Sequence, residues 1–265
     1  MKTTGRPKSR GGFMLIEERR QHVLSQIQRD GRVLVSELSD ALGISRITIR
    51  KDLDNLESRG LVTRTHGGAL AAQHPSLDPP VNEKHRQRLK EKQRIAEAAA
   101  KLTRDGDCIL LDSGTTTTAV AHALRRLNQL TIITNGVNIA ADLANTNFEI
   151  ILLGGVMRKG ALSIVGPSAE DMLREIRADI LFLGVDGFDS NLGITTPNVL
   201  EARVNRAMVQ AARRVVAVCD STKFTRRSLA KIVPTSGIHA VITDDQISKK
   251  DLNELKNSGV DVILV

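Results

Sequence analysis

The sequence predicts an α/β protein in two parts: a small basic helical module, then a larger, mainly parallel sheet covered by helices. Three observations carry this. The net charge of +8 falls wholly within residues 1–94, which hold 19 Lys and Arg against 11 Asp and Glu; residues 95–265 hold 19 of each. The basic part shows 3.6-residue apolar periodicity punctuated by glycines, the mark of short helices and turns. The neutral part alternates continuous apolar runs with helical segments, as strands buried on both faces do.

Composition narrows the classes. With 41% hydrophobic and 26% charged residues, the chain is neither disordered, collagen-like nor a disulfide scaffold. No apolar run reaches the ~20 residues of a membrane span. The four-residue patch Phe13–Ile16 falls short of the roughly 7–15 apolar residues of a secretion signal. Cys108 and Cys219 sit in the apolar runs DCILLD and VVAVCD, as reduced core thiols do, so the expected compartment is the cytoplasm. Trp and Tyr are absent and Phe13 is the only aromatic of the basic part. Readers of single strands and of most RNA stack bases on aromatics; a reader of double-stranded DNA has no such need.

Residues 1–15, with GRPKSRGG, predict a basic disordered arm. Ile16, Val23, Leu24 and Ile27 share one face of a first helix, and Gly31 suits its C-terminal cap. Val33 and Val35 flank a short extended piece. Ser36 suits the N-cap of a second helix with Leu38, Ala41 and Leu42 inward, and Gly43 makes a tight turn. Ser45 caps a third helix running to about Gly60, with Ile49, Leu53 and Leu56 as its buried stripe. Arg46, Ile47, Thr48, Arg50 and Lys51 then fall on the other faces of its first turns. That is where a recognition helix meets base edges: Arg forks guanine, and Thr or Ile methyls pack on thymine. LVTRTHGGAL follows as a β-rich wing with a turn at Gly67-Gly68, and Arg64 and His66 are placed for phosphate or minor groove. Residues 16–71 thus predict a winged helix-turn-helix with Ser45, Arg46, Ile47, Thr48, Arg50, Lys51, Arg64 and His66 at the DNA. A three-helix scaffold for protein contacts is the alternative.

Residues 72–94 predict a linker and the start of a connecting helix. Three of the seven prolines lie in 71–82, and 83–103 reads as one helix whose Lys and Arg form a solvated face. From residue 95 to 265 the strand-like runs are DCILLD, LTIITN, FEIILLGG, ADILFLGVDG, RRVVAVCD, HAVITDD and VDVILV. Ligands of such sheets lie beyond the carboxyl ends of the strands. There the sequence places Asp112, Ser113, Gly114, Thr115 and Thr116, then Asn135, Gly155, Arg158, Asp186, Glu201 and Lys223. DSGTTTT leaves a strand and opens a helix, so amide and hydroxyl donors gather where an oxyanion such as phosphate binds. Lys223 adds a point charge, and Asp112, Asn135 and Asp186 suit sugar hydroxyls. Each residue alone has a plain structural reading as a cap or turn. The six His show no metal-ligand spacing and no phosphate-loop or Ser/His/Asp arrangement is present, so neither metal, cofactor nor catalytic residue is expected.

Several of these segments together resemble one family. V-x-E-L-S, S-x-x-T-I-R-[RK]-D-L, L-E-x-x-G and R-x-H-G-G-A in the basic part are similar to the N-terminal signature of DeoR-family bacterial transcriptional regulators. D-S-G-T-T-T, T-N-G, L-x-G-G, L-F-L-G-V-D-G, E-A-R-x-N and D-S-T-K-F are similar to that family's sensor domain. The resemblance runs from Glu17 to Val265. It implies an operator-binding repressor of carbohydrate catabolism genes. Its sensor would be Rossmann-like, resemble ribose-5-phosphate isomerase in fold, and respond to a phosphorylated sugar. Within the family the galactosamine and N-acetylgalactosamine pathway repressors resemble it most. A dimer or tetramer is expected, since one small module binds DNA weakly.

Two alternatives stand at this point. An isomerase fused to a DNA-binding module would use Asp186 or Glu201 as its base. In the isomerases a catalytic lysine lies in the segment that here reads SNLGITTPNVLEAR, which has none. A ligand-independent activator would have no use for polar loops at several strand ends.

Overall fold

The computed structural model describes residues 15–58, 61–65, 67–71, 81–189, 192–224 and 226–265. The expected arm over 1–14, His66 and the linker stretch 72–80 lie outside the described residues. The chain divides into two compact units at residues 77/78.

The first unit is built from α1 (Ile16–Asp30), β1 (Arg32–Leu34), α2 (Val35–Leu42), α3 (Arg46–Ser58), β2 (Val62–Arg64) and β3 (Gly68–Ala71). Val23, Leu24 and Ile27 of α1 pack on Val35 and Leu38 of α2 and on Ile49, Leu53 and Leu56 of α3. Gly31 and Gly43 end α1 and α2 in the left-handed conformation, at φ 75° and 65°, where a side chain would be strained. The Ser45 hydroxyl accepts from the Thr48 amide at 3.2 Å and so caps α3. The strands form an antiparallel sheet ordered β1-β3-β2.

Three expectations change here. α2 begins at Val35 after an extended Leu34 with no side-chain cap, so Ser36 lies inside the helix. The Val35 amide donates instead to the carbonyl of Gly67 at 2.9 Å. Ile16 and Ala41 are exposed, because the core is already filled by the residues one turn along. Gly68 belongs to a strand, not a turn: a Cβ there would lie 1.9 Å from the Val33 carbonyl oxygen, so β3 reaches β1 only with glycine at this point.

The second unit runs α4 (Val81–His85), α5 (Leu89–Ala100), β4 (Cys108–Leu111), α6 (Thr115–Leu124), β5 (Thr131–Thr134), α7 (Val137–Leu143) and β6 (Glu149–Leu152). A hairpin of β7 (Val156–Arg158) and β8 (Ser163–Val165) precedes α8 (Pro167–Arg174) and β9 (Ala178–Gly184). Then come β10 (Gly187–Asp189), β11 (Gly193–Thr196), α9 (Val199–Ala211), β12 (Ala212–Val218), a 3₁₀ turn at Ser221–Lys223 and β13 (Ala230–Val233). β14 (Ala240–Thr243), α10 (Lys249–Asn257) and β15 (Asp261–Leu264) complete it.

The seven apolar runs are the seven strands of one wholly parallel sheet, ordered β15-β14-β12-β9-β4-β5-β6. Alternate residues feed two cores. Ile109, Leu111, Phe182, Val216 and Val218 pack beneath α5, α6 and α7. Leu110, Leu181, Leu183, Val215 and Ala217 pack beneath α8, α9 and α10. From β4 the chain builds outward to β5 and β6, and from β9 it builds the other way to β12, β14 and β15. The reversal between β4 and β9 opens a crevice at their carboxyl ends, where ligands of open α/β sheets bind.

The expected single helix over 83–103 is two helices. Arg88 adopts φ 55° between them, a left-handed conformation that no α-helix continues through.

Candidate functional site

The crevice is a cavity of about 90 Å³, and every residue lining it belongs to the second unit. Its floor is the loop that joins β4 to α6. Gly114 takes φ 144°, open in practice only to glycine, at the N-terminus of α6, and Gly114, Thr115 and Thr116 line the crevice. The Asn135 side chain locks this loop, its Oδ1 accepting from the Ser113 amide at 2.8 Å. Thr117 and Thr118 turn their hydroxyls back onto the Gly114 carbonyl, at 3.0 and 2.6 Å. Thr115 and Thr116 remain at the cavity.

Four carboxylates line the same space: Asp112, Asp186, Glu201 and Asp220. Asp112 Oδ2 accepts from the Gly184 amide at 3.1 Å. Burial, then the charges of Glu201 and Asp186, push its carboxyl well above the usual range. Asp186 Oδ1 lies 2.7 Å from Lys84 Nζ. Burial alone would raise this carboxyl, but Lys84, Lys223 and the Thr196 hydroxyl outweigh it and hold the group low. The Thr196 hydroxyl lies 3.1 Å from Asp186 Oδ2 and 3.4 Å from Glu201 Oε2, so one proton serves either. Glu201 also accepts from the Ser163 hydroxyl at 2.7 Å and pairs with Arg158.

Cations face them. Lys223 stands on the 3₁₀ turn after β12. Burial, then the nearby Arg226, lowers its pKa. Lys92 is buried, and its Nζ donates to the carbonyls of Lys84 and Gln87 at 2.6 and 2.7 Å. Desolvation brings this amine down to about 8. Arg88 reaches Gln246 at 3.1 Å and Asp244 at 3.4 Å.

Of the sequence-derived residues, Asp112, Ser113, Gly114, Thr115, Thr116, Asp186, Glu201 and Lys223 come together on this cavity. Asn135, Gly155 and Arg158 do not line it. Asn135 is fully buried behind the loop. Gly155 takes φ 145° where a Cβ would meet the Val165 carbonyl oxygen at 2.6 Å, so it serves the close approach of the β7–β8 hairpin. Arg158 acts on the site through Glu201. The solvated-face expectation for 83–103 fails at Lys84, Arg88 and Lys92, which line the cavity, while Arg86, Lys90 and Arg94 are exposed. One sign of this is in the sequence: Lys92 shares the helix face of Ile95, Ala96 and Ala99, the buried stripe of α5. Asn205 and Asp220, from the E-A-R-x-N and D-S-T-K-F segments, also line the cavity.

In the first unit, Arg46, Ile47, Arg50 and Lys51 are exposed on α3, Ile47 at 66%, and Thr48 is half-buried. Asp52, on the inner side, is 2% exposed and accepts from Arg19 at 2.5 and 3.2 Å and from Arg20 at 3.0 Å. This pins α3 to α1 and leaves the outer face basic. Arg64 is folded down: it donates to Asp54 at 3.0 Å and to the Gly68 carbonyl at 2.6 Å, bracing β2 and β3 against α3.

Comparison with known proteins agrees with both units. Residues 19–74 match the DeoR-like helix-turn-helix domain and residues 87–245 the DeoR C-terminal sensor domain. A putative aga operon transcriptional repressor of Escherichia coli O157:H7 is 40% identical over 94% of this chain and 93% of its own. The glycerol-3-phosphate regulon repressor of E. coli K12 is 34% identical over 86% of this chain and 90% of its own. Among solved structures, a ribose 5-phosphate isomerase A from Neisseria gonorrhoeae aligns with 51% of this chain and 53% of its own at 15% identity and a TM-score of 0.38. Matched in both units and across nearly its whole length, the chain belongs to the DeoR family of transcriptional regulators.

Proposed function

We propose that the protein represses a carbohydrate catabolism operon and leaves its operator when a phosphorylated sugar fills the crevice between β4 and β9. One observation carries this reading: the start of α6, three lysines and four carboxylates line a single cavity at the point where strand order reverses. The amides of α6, with Lys223 and Lys92, suit a phosphate. Asp112, Asp186 and Glu201 suit hydroxyls, which a simple inorganic anion lacks. The names of the relatives, repressors of the aga operon and of a glycerol-3-phosphate regulon, support the same class.

On the DNA side, Arg46, Ile47, Thr48, Arg50 and Lys51 of α3 read the major groove, with Ser45 holding the helix start. Arg64 shapes the wing. A homo-oligomer presents two such helices to repeated half-sites, in the cytoplasm where the operator is. To act as a switch, the sugar phosphate must bind the DNA-free state better, typically by ~1–3 kcal/mol. Fluorescence anisotropy on the DNA upstream of the protein's own gene, across a salt series, tests the DNA half. A tight, salt-steep complex that scrambled DNA does not form supports it; equal affinity for both DNAs contradicts it.

A further inference from the structure

Asn205 lies on α9 one turn after Glu201, on the same helix face. It is 5% exposed and lines the cavity with Thr196, Glu201 and Ile232. Its Oδ1 is buried and accepts no hydrogen bond among the described residues. Buried amide oxygens are almost always satisfied, because stripping one of water without replacing its donor is costly. An apolar residue of similar volume would avoid that cost. An acceptor kept here without a donor, on the wall of a cavity, points to a donor that arrives from outside.

The surroundings define that donor. Glu201 is one turn away, with the Thr196 hydroxyl between it and Asp186. Asp112 feels the charge of both carboxylates. An anion brought here would meet three carboxyl groups and an amide oxygen. A hydroxyl would find acceptors in the carboxylates and in Asn205 Oδ1. Of the lysines on the cavity, Lys84 holds Asp186 at 2.7 Å and Lys92 is held by the carbonyls of Lys84 and Gln87; none is hydrogen-bonded to Asn205 Oδ1 among the described residues.

We infer that Asn205 is a specificity-determining residue whose Oδ1 accepts a hydrogen bond from a hydroxyl of the bound sugar phosphate, an assignment that rests on the phosphosugar reading above. It makes the site a reader of the sugar as well as of its phosphate. Because Oδ1 has no donor among the described residues, its contribution appears on binding.

The test is titration calorimetry on the full chain and on Asn205→Leu. The probes are galactose 6-phosphate, glucose 6-phosphate, glycerol 3-phosphate and inorganic phosphate. The sugar phosphate that binds the parent best should bind Asn205→Leu at least tenfold more weakly, with inorganic phosphate changed less than twofold. The ligand-free variant should melt no lower than the parent, since leucine removes the orphaned acceptor; a merely structural asparagine would melt lower. If Asn205→Leu does not fold, Asn205→Ala gives the same comparison of probes. Unchanged sugar-phosphate affinity, or equal losses for sugar phosphate and inorganic phosphate, overturns the role of Asn205 alone. A parent that binds no sugar phosphate better than inorganic phosphate overturns the phosphosugar reading, and this inference with it.

Discussion

Lys84 Nζ sits 2.7 Å from Asp186 Oδ1, joining residues 102 apart in sequence at the cavity between β4 and β9. Lys84 comes from α4, close behind the segment that leaves the DNA-binding unit, and Asp186 from the loop after β9. The pair neutralises one carboxylate and holds a cation at the cavity. Lys84→Ala should weaken sugar-phosphate binding about tenfold, or ~1.4 kcal/mol. Calorimetry at low salt checks this; unchanged affinity would place Lys84 outside the binding machinery.

Lys92 gives the site a pH dependence. Its amine is brought to about 8 by desolvation, with Lys223 and Lys84 adding to the effect and Asp220 and Glu91 opposing it. Below that pH it adds a positive charge for a phosphate to meet; above it the charge is lost. Phosphate itself stays doubly ionised throughout, its second pKa being about 6. Ligand affinity should therefore fall as pH rises from 7 to 9. Lys92→Met should bind more weakly at pH 7 and show a shallower profile, the remainder coming from Lys223. The same shift acts on stability. The native state binds fewer protons than the unfolded chain between about 8 and the ordinary lysine value of ~10.4, so this group's contribution rises with pH across that window.

Asp112 has the opposite sense. Its native carboxyl is pushed up by burial and by Glu201 and Asp186. Ionising it costs folding energy once the pH exceeds the unfolded value of ~3.9. Asp112→Asn keeps an oxygen for the Gly184 amide and removes the repulsion. It should raise stability at pH 7 by about 1–2 kcal/mol, a gain that shrinks as the pH falls through 4. Denaturant melts at pH 7 and pH 4 check both halves.

The DNA-binding unit depends on a buried carboxylate. Asp52→Ala strands Arg19 and Arg20, and breaking a buried pair costs roughly 3–5 kcal/mol. Both arginines keep some contact with water, at 11% and 21% exposure, so about 2–3 kcal/mol is expected. Thermal unfolding should show this loss in the first unit, with the sugar-phosphate affinity of the second unit unchanged.

The proposed base reading falls to the exposed residues of α3. Arg50→Ala should cost roughly 1–3 kcal/mol on the operator and relax choice at one base pair, and Lys51→Ala should relax choice at another. Selection from randomised operators separates the two outcomes; an unchanged preference in Arg50→Ala removes it from base readout.

Much of this architecture is legible in the chain, for identifiable reasons. Each strand of the parallel sheet is a continuous apolar run, since burial on both faces leaves no polar side to blur it. Loop polarity after β4, β9 and β12 marks the ligand edge for the same reason. Strand order is not legible, because it depends on which crossover packs on which face, as in the choice of β9 and not β6 as the second neighbour of β4. Lys84 and Lys92 look like solvated charges until Arg88 breaks the helix and turns α4 over the cavity. Asn135 and Gly155 follow strands as a ligand residue would, yet one fastens the neighbouring loop and the other makes room for a hairpin. Sequence position alone cannot separate these roles.

In the proposed mechanism one cavity, with Lys223 holding the phosphate, governs release from DNA. The most direct measurement is anisotropy of the preformed operator complex titrated with sugar phosphates, for the parent and for Lys223→Ala. One sugar phosphate should dissociate the parent complex, while Lys223→Ala binds the operator as tightly and needs at least tenfold more ligand to leave it. Release of both proteins at the same ligand concentration would contradict the account.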